Sequence, residues 1–415
     1  MPKIFLPNLM FEEELNATIS HVPAGGKRIA AELATAGALM WAPADSNSSE
    51  LEDSIIVLID GDFTPAGLPY MLRNIELRTL KSGSETLPAG AEFHPWGWSE
   101  RAIATGRQLR LEFDTPSSEA VRFVNSRVFL APFDTCFPRD GDLNRSRPSV
   151  SELCSGLSEV EAALMRFREQ GLRGWVIKSL YSQAARNRLL GGEPRLNEPQ
   201  RNWVMKRLAA GEAVCVEPWF DRLAECGLQF TIPPPRASEQ EICFDGGCEM
   251  LTDALGRYRG SLVWDSSSDA WWTAAVPHGL AIARHARTLG FFGPMGIDCM
   301  LIRHPVDGTL WLRPSHDING RNTMGRIALS LRRWLAPGES GLWCHVIRGS
   351  QSTAQDLFED LDETNVRILP TSPAMHGSRP TTLQTAFLIS RDCDQLLKVA
   401  RTFLSQNTQN PSGIY

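Results

Sequence analysis

The sequence has no run of apolar residues close to the ~20 that a membrane-spanning helix needs, which excludes a helical membrane protein. Lysine is scarce, with six residues in 415, so arginine supplies most of the positive charge. The net charge of −6 argues against a general nucleic-acid surface, because such a surface needs a basic balance. A Walker loop, a G-x-G-x-x-G motif and a G-x-S-x-G nucleophile elbow are also absent. The chain therefore offers no familiar phosphate loop and no convincing nucleophile.

The nine cysteines are odd in number and scattered, mostly inside apolar runs such as AVCVEPWF and IDCMLIR. This pattern indicates buried, reduced thiols in a cytoplasmic protein. Cys243 and Cys248 lack a second Cys/His pair and are a poor zinc signal. The first residues run into three glutamates, so we expect no signal peptide.

Length and composition predict an ordinary globular chain of two to three domains, at ~150 residues each. Residues 1–115 have the pattern of an α/β domain, in which KIFLPNL is a first strand and Ser99 caps a helix. The apolar run Ile55–Ile59 is typical of a strand covered on both faces. Residues 116–335 alternate strands and helices and contain the candidate site, with SRVFL at 126–130 predicted as a strand. The pattern of residues 336–415 predicts a small α+β appendage.

The segment 290–326 predicts two strands joined by a turn, and this pair contains the candidate chemistry. Asp298 lies on the first strand. Asp317 and Asn319 lie two residues apart at the end of the second, so both side chains point to one face. Two carboxylates and an amide oxygen form an oxygen-only set that suits Mg²⁺, which keeps waters and substrate phosphates as further ligands. Arg321 follows two residues later and could bind a phosphate or carboxylate.

This arrangement resembles the ATP-grasp superfamily of carboxylate–amine and carboxylate–thiol ligases. That family has an acidic residue on one strand and E-x-N-x-R at the end of the next. Asp298 matches the first acid, and Asp317, Asn319 and Arg321 match D-x-N-x-R. Aspartate replaces the family's glutamate, and Gly296 stands where the family has an arginine, so the resemblance gives Arg321 more of the transition-state charge.

The resemblance also implies a nucleotide site. Its residues are Lys178, Ser182, Arg186, Glu217, Pro218, Trp219, Phe220, Glu225 and Arg257. Lys178, in the apolar strand VIKSL, matches the lysine that contacts the ATP phosphates, which would supply the counter-charge that a buried ammonium needs. The segment 217–220 matches the hinge that binds adenine, and Glu225 matches the acid that binds the ribose. The loop YSQAARNRLL has no glycine before Gly191, unlike the family's glycine-rich loop.

The resemblance implies an N-terminal Rossmann-like domain, a two-subdomain ATP-grasp fold and the α+β appendage. It further implies a ligase that uses ATP and Mg²⁺, which Mn²⁺ could replace, with Arg321 and Lys178 as catalytic residues. The substrates would be a small carboxylate, activated as an acyl phosphate, and an amine; nucleic acid and membrane are not expected as partners, and a homodimer is left open. Two alternatives stay open: a catalytically weak or inactive nucleotide-binding partner protein, motivated by the loop and the aspartate, and an ATP-grasp kinase.

Overall fold

The structure is a computed structural model of the chain, and it describes residues 1–15, 24–42, 54–59, 65, 67–79, 87–139, 147–148, 150–181, 187–237, 239–264, 270–305, 307–347 and 365–406. The strands are β1 (Lys3–Leu6), β2 (Ile55–Ile59), β3 (Ile75–Thr79), β4 (Glu92–Pro95), β5 (Thr135–Pro138), β6 (Arg147–Pro148), β7 (Glu152–Cys154), β8 (Trp175–Ser179), β9 (Arg188–Gly191), β10 (Val214–Pro218), β11 (Asp221–Ile232), β12 (Cys243–Thr252), β13 (Tyr258–Trp264), β14 (Gly293–Arg303), β15 (Leu310–Asn319), β16 (Ser340–Ile347), β17 (Arg367–Pro370), β18 (Met375–His376), β19 (Arg379–Pro380) and β20 (Leu383–Ser390). The α-helices are α1 (Phe11–Leu15), α2 (Ala24–Leu33), α3 (Glu100–Gln108), α4 (Ser118–Val124), α5 (Arg127–Leu130), α6 (Leu157–Glu169), α7 (Glu198–Ala209), α8 (Val276–Thr288), α9 (Met324–Ser330) and α10 (Cys393–Gln406).

The contacts of the chain divide it into two compact units. Unit 1 comprises Met1–Thr115, Cys248–Ser267 and Arg321–Tyr415, and unit 2 comprises Pro116–Gly247 and Ser268–Gly320. The contacts thus group the C-terminal segment with the N-terminal one. The division into 1–115, 116–335 and 336–415 stays a prediction.

Unit 1 begins with a parallel α/β sheet in the order β3-β2-β1-β4. All five residues of β2 are buried, as the run Ile55–Ile59 predicts for a strand covered on both faces. The Ser99 side chain accepts a hydrogen bond from the Ala102 amide at 3.1 Å and caps α3, which confirms that prediction. The sheet places the loops that follow β1 and β4 side by side.

Unit 1 also contains an antiparallel arrangement in the order β17-β20-β16-β13-β12. One face of this sheet packs against α10. The buried residues of that contact include Leu262, Leu342, Leu388, Leu396 and Val399. The apolar face of α10 and the inward-facing residues of the strands pack together in this core.

Unit 2 contains two antiparallel sheets. The smaller has the order β7-β10-β8-β9 and packs with α6 and α7 around a core that includes Val160, Phe167, Ile177, Val204 and Val216. The larger contains the long strands β11 and β14 and runs β11-β14-β15-β5-β6. Strand β8 brings the candidate lysine and β15 brings the candidate acids.

The strand predicted at 126–130 is wrong, because this segment forms helix α5. Ser126 caps it by accepting a hydrogen bond from the Phe129 amide at 3.4 Å. Phe129 and Leu130 are buried next to each other while Val128 is exposed, a pattern that does not alternate as a strand would. A run of only five residues that begins with a serine cannot distinguish the ~3.6-residue period of a helix from the two-residue period of a strand. The error matters because α5 begins with Arg127.

All nine cysteines are free thiols, and seven of them are buried. This agrees with the interpretation of the apolar cysteine runs. Among the described residues, no helix combines the length and the apolar character that crossing a membrane would require.

Candidate active site

The antiparallel pair β14–β15 brings together the two carboxylates that the sequence singles out. Asp298 lies directly opposite Asp317 in the register, and Asn319 lies opposite Gly296. The Asn319 side-chain amide is 3.4 Å from Asp298 Oδ2. The Asp317 side chain is 33% exposed, so it can accept a ligand from outside the protein.

These oxygens fit a hard divalent cation that keeps ligands of its own. In the part of the chain that the structure describes, no three carboxylate, imidazole or thiol side chains converge on one point. A cation here would therefore depend on Asp298, Asp317 and Asn319, together with water and substrate oxygens. Mg²⁺ is held in this way at many phosphate-transfer sites, usually by one or two carboxylates.

Lys178 lies on β8 opposite Cys215 of β10, and its ammonium contacts a buried carboxylate. Lys178 Nζ is 2.9 Å from Glu217 Oε1. Burial lowers the pKa of Lys178, and Glu217 opposes this shift. The sequence interpretation gave this ammonium a bound polyphosphate as its counter-charge; the structure adds Glu217 as a counter-charge within the protein, and the contact with phosphate stays a prediction. Burial, and secondarily Glu217, raises the pKa of the Cys215 thiol to about 12, which disfavours the reactive thiolate form.

Glu217 is the centre of a buried ion network. Arg313 donates to Glu217 Oε2 at 3.1 Å and to Asp134 Oδ1 at 2.9 Å. Arg127 Nη1 lies 3.6 Å from Glu217 Oε1 and 3.4 Å from Asp317 Oδ1. Burial alone would raise the pKa of Glu217, but the neighbouring cations, Lys178 first among them, hold it well below its ordinary value. One series of ion pairs thus joins Lys178 to Asp317.

The segment 217–220 supplies few free backbone donors. Pro218 has no amide hydrogen, and the Trp219 amide donates to the Gly174 carbonyl at 2.8 Å. The Trp219 ring faces the guanidinium of Arg222 at 4.4 Å, and Phe220 packs against the small core around Met300. The Glu217 side chain forms ion pairs in the network, a role that the sequence did not suggest for this hinge residue.

Glu225 and His316 lie near each other on β11 and β15. Arg222 Nη1 is 3.1 Å from both carboxylate oxygens of Glu225, and His316 Nε2 is 3.8 Å from Glu225 Oε1. Burial, and then the charges of Arg313 and Lys178, keep the pKa of His316 well below its ordinary 6.5. The imidazole is therefore neutral near pH 7.

Comparison with known proteins identifies the fold. No family model and no curated protein sequence matches this chain. It is similar to the structure of N5-carboxyaminoimidazole synthetase from Staphylococcus aureus, with TM-score 0.54, 10% identity and coverage of 97% of this chain and 96% of that one. Biotin carboxylase from Campylobacter jejuni gives TM-score 0.51, 11% identity and coverage of 99% and 95%. Both are ATP-grasp proteins. This chain has the ATP-grasp fold.

The match also extends to pyruvate carboxylase from Rhizobium etli, with TM-score 0.53 and 11% identity, over 94% of this chain and 36% of that one. The likenesses confirm the predicted fold class, an α/β architecture with the ATP-grasp organisation. They show the fold alone, because one fold hosts many reactions.

Two of the remaining ATP-grasp candidates belong to unit 1, and two lie outside the described residues. Arg257 belongs to unit 1, where its Nε donates to Asp253 Oδ2 at 2.7 Å. Ser182 and Arg186 lie outside the described residues. Arg321 also belongs to unit 1 and is paired with Glu12. The phosphate role of Arg257 therefore stays a prediction, and its charge has a partner within the protein.

The sequence interpretation missed three members of the ion network: Arg127, Asp134 and Arg313. Arg313 is 1% exposed in the apolar strand TLWLRPS, a placement as unusual as that of Lys178 in VIKSL. The cost of burying an unpaired charge was therefore a signal that could have found Arg313. Arg127 and Asp134 gave no such signal: Arg127 begins the helix that was predicted as a strand, and Asp134 lies beyond the end of that helix.

Proposed function

We propose that this protein is an ATP-dependent ligase that activates a carboxylate as an acyl phosphate for attack by an amine. The observation that carries the proposal is the series of ion pairs from Lys178 through Glu217 and Arg127 to Asp317. This series connects a cation suited to phosphate binding with a carboxylate suited to metal binding through two intervening residues, which supports the proposal. Phosphoryl transfer depends on such fixed charges more than on a nucleophilic side chain.

In the nucleotide complex, Lys178 and Arg127 would bind the phosphates, and the hinge residues 217–220 would bind the adenine base. The Glu217 carbonyl would accept from the exocyclic amine, and the Phe220 amide would donate to the ring, because Pro218 and Trp219 cannot. The S. aureus synthetase with the same fold is known in complex with ADP, which supports ATP as the nucleotide. Glu225 would accept hydrogen bonds from the ribose hydroxyls.

Asp298, Asp317 and Asn319 would hold Mg²⁺, for which Mn²⁺ could substitute. Bound there, the ion would withdraw charge from the phosphate oxygens. Arg127, in contact with Asp317, orients that carboxylate by charge and lies in the buried interior at 5% exposure.

The chemistry then follows two steps. A carboxylate oxygen attacks the γ-phosphorus of ATP, the bond to the β-phosphate oxygen breaks, and ADP leaves. The amine nitrogen next attacks the acyl carbon, the bond to phosphate breaks, and the amine loses a proton as the amide forms. The positive charge of the Arg321 guanidinium would stabilise the charge that develops at the acyl group.

Product analysis tests this function. The full-length protein with Mg²⁺ and ATP is incubated with a panel of carboxylates, including bicarbonate and amino acids, and with hydroxylamine as the amine. We expect ADP and phosphate to form only when a carboxylate is present. Three results would contradict the proposal. The first is the formation of AMP, the second is a phosphorylated product that is stable to hydroxylamine, and the third is the absence of carboxylate-dependent ADP. The homodimer and the cytoplasmic location stay predictions of the sequence.

Replacing Lys178 by methionine should weaken ATP binding by ~1–3 kcal/mol, the scale of a lost charge-assisted hydrogen bond. Glu217 keeps Arg313 and Arg127 as partners, so the fold should persist. Isothermal titration calorimetry with ATP measures the effect, and the exposed Lys206→Met is the matched control. Equal ATP affinity in wild type and Lys178→Met would remove this lysine from the nucleotide site.

Replacing Arg321 by lysine should slow ligation at least about tenfold, or ~1.4 kcal/mol of barrier, while ATP binding stays nearly intact. An interaction made mainly in the transition state lowers kcat and kcat/KM together. Steady-state kinetics with the carboxylate found in the panel gives both constants. A change confined to the KM for ATP would assign Arg321 to the nucleotide instead.

A further inference from the structure

Arg321 is held by a buried carboxylate that lies more than three hundred residues earlier in the chain. Its Nε and Nη2 both contact Glu12 Oε1, and its Nη1 donates to the Asn322 carbonyl at 2.8 Å. The two side chains are 10% and 7% exposed. A guanidinium with two nitrogens on one carboxylate and a third on a carbonyl is restricted to a narrow set of orientations.

The surroundings of Arg321 fix it further. Its guanidinium carbon lies 5.8 Å from the centre of the Trp96 ring, and Trp96 is 2% exposed. The Asn322 amide donates to the Trp96 carbonyl at 2.9 Å, and the Asn322 side chain donates to the Pro95 carbonyl at 3.2 Å. The start of α1 and the end of β4 therefore hold Arg321 from two directions.

This position is where an open parallel sheet usually binds its ligand. In the order β3-β2-β1-β4, the chain goes from β1 to β2 on one side and reaches β4 on the other. Glu12 follows β1, and Trp96 follows β4 directly. The carboxyl ends of the two strands at which the strand order reverses form the ligand crevice of such sheets.

Glu12 is costly to keep as a carboxylate here. Burial raises its pKa, Arg321 opposes the shift, and the adjacent Glu13 adds to it. Glu12 Oε2 has no hydrogen-bond partner among the described residues. A glutamine could have filled the same space without a charge. A buried charge that destabilises the protein locally is expected at functional positions.

The chain on the other side of Arg321 is also constrained. The Gly320 amide donates to Asn125 Oδ1 at 2.8 Å, and a Cβ at Gly320 would lie 2.8 Å from Asn125 Nδ2. The Gly320 amide is therefore held by a side chain, and the position has no room for a larger residue.

We propose that Glu12 is a positioning residue for Arg321: it aligns the guanidinium for the acyl group in the ligase reaction. The proposal rests on the proposed function, in which Arg321 stabilises charge at that group. It makes the first helix of the chain part of the ligation machinery, although Glu12 itself need not touch the substrate.

The test compares kinetic constants for five variants of the full-length protein with Mg²⁺-ATP, the carboxylate found in the panel and hydroxylamine. Glu12→Gln should lower kcat at least tenfold and leave the KM for ATP within twofold. Glu12→Asp should recover part of kcat. Glu14→Gln is the control, because Glu14 lies on the same helix and bonds to Ser99 and Asn8. It should keep kcat within twofold.

The decisive comparison is the double variant Glu12→Gln/Arg321→Lys. If Glu12 acts through Arg321, the double variant should be no slower than Arg321→Lys alone, because residues acting as a unit are not additive. Additive losses, or a Glu12→Gln variant as fast as wild type, would overturn the proposal.

A crystal structure of the Glu12→Gln variant decides the matter independently of activity. Displacement of the Arg321 guanidinium from its place over Trp96 supports the proposal, and an unchanged guanidinium overturns it. If the wild-type protein forms ADP with no carboxylate, the proposed function fails, whereas the crystallographic result still judges the positioning role.

Discussion

Replacing Asp317 by asparagine is expected to lower turnover at least about 100-fold, or roughly 2.7 kcal/mol of barrier. Asp317 lies opposite Asp298 across β14–β15 and provides one of the two charges available to Mg²⁺ there. Asparagine keeps the shape of the side chain but removes that charge, so the cation loses affinity and the phosphate oxygens lose part of their stabilisation. The fold should persist, because Asp317 is one-third exposed and only Arg127 loses an ion-pair partner.

The measurement is the rate of ADP formation over a range of Mg²⁺ concentrations, together with the melting temperature. The control is Asp221→Asn, an exposed carboxylate on β11. Turnover of Asp317→Asn equal to wild type at every Mg²⁺ concentration would show that the metal is held elsewhere. Recovery of turnover at high Mg²⁺ would place the defect in metal affinity, as the geometry implies.

Replacing Glu217 by glutamine is expected to destabilise the protein by ~3–5 kcal/mol, the cost of removing one partner from a buried ion pair. Lys178, Arg313 and Arg127 all have this carboxylate within 4 Å, and it is 2% exposed. Removal leaves buried cations with too few counter-charges, whereas the half-buried pair of Glu212 with Arg207 should contribute ~1 kcal/mol or less. Urea unfolding of Glu217→Gln and of the control Glu212→Gln measures both.

The pH dependence of stability follows from the same carboxylate. The folded state holds the pKa of Glu217 below its ordinary value of 4.5. Its stabilising contribution is therefore fully present above pH 4.5 and is lost as the pH falls below that value. The wild type should lose more stability than Glu217→Gln on acidification from pH 5 downward. Parallel losses would show that Glu217 is not the responsible group.

Local sequence patterns predicted the elements whose period is unambiguous. The run Ile55–Ile59 gave a buried strand, and the spacing of Asp317 and Asn319 placed them on one strand facing the strand of Asp298. These predictions hold because alternation along a strand is a local property of the backbone. The strand prediction for residues 126–130 was wrong because five residues are too few to distinguish the periodicity of a helix from that of a strand.

The ion network shows what the sequence could not provide. Glu217 and Arg313 are 96 positions apart, and Arg313 and Asp134 are 179 apart. No local pattern relates such residues, so the sequence could not predict the pairing of Lys178 with Glu217. The pairing of Arg321 with Glu12, across 309 positions, was equally out of reach.

The sequence by itself determined the buried strand Ile55–Ile59, the strand pair that contains Asp298, Asp317 and Asn319, and the resemblance to an ATP-grasp ligase. These follow from residue types and short spacings, which secondary structure converts directly into shared faces. Only the tertiary structure decided which charges neutralise each other. Burial makes every unpaired ion costly, and the partner that relieves this cost is chosen by how distant strands and helices pack, not by distance along the chain.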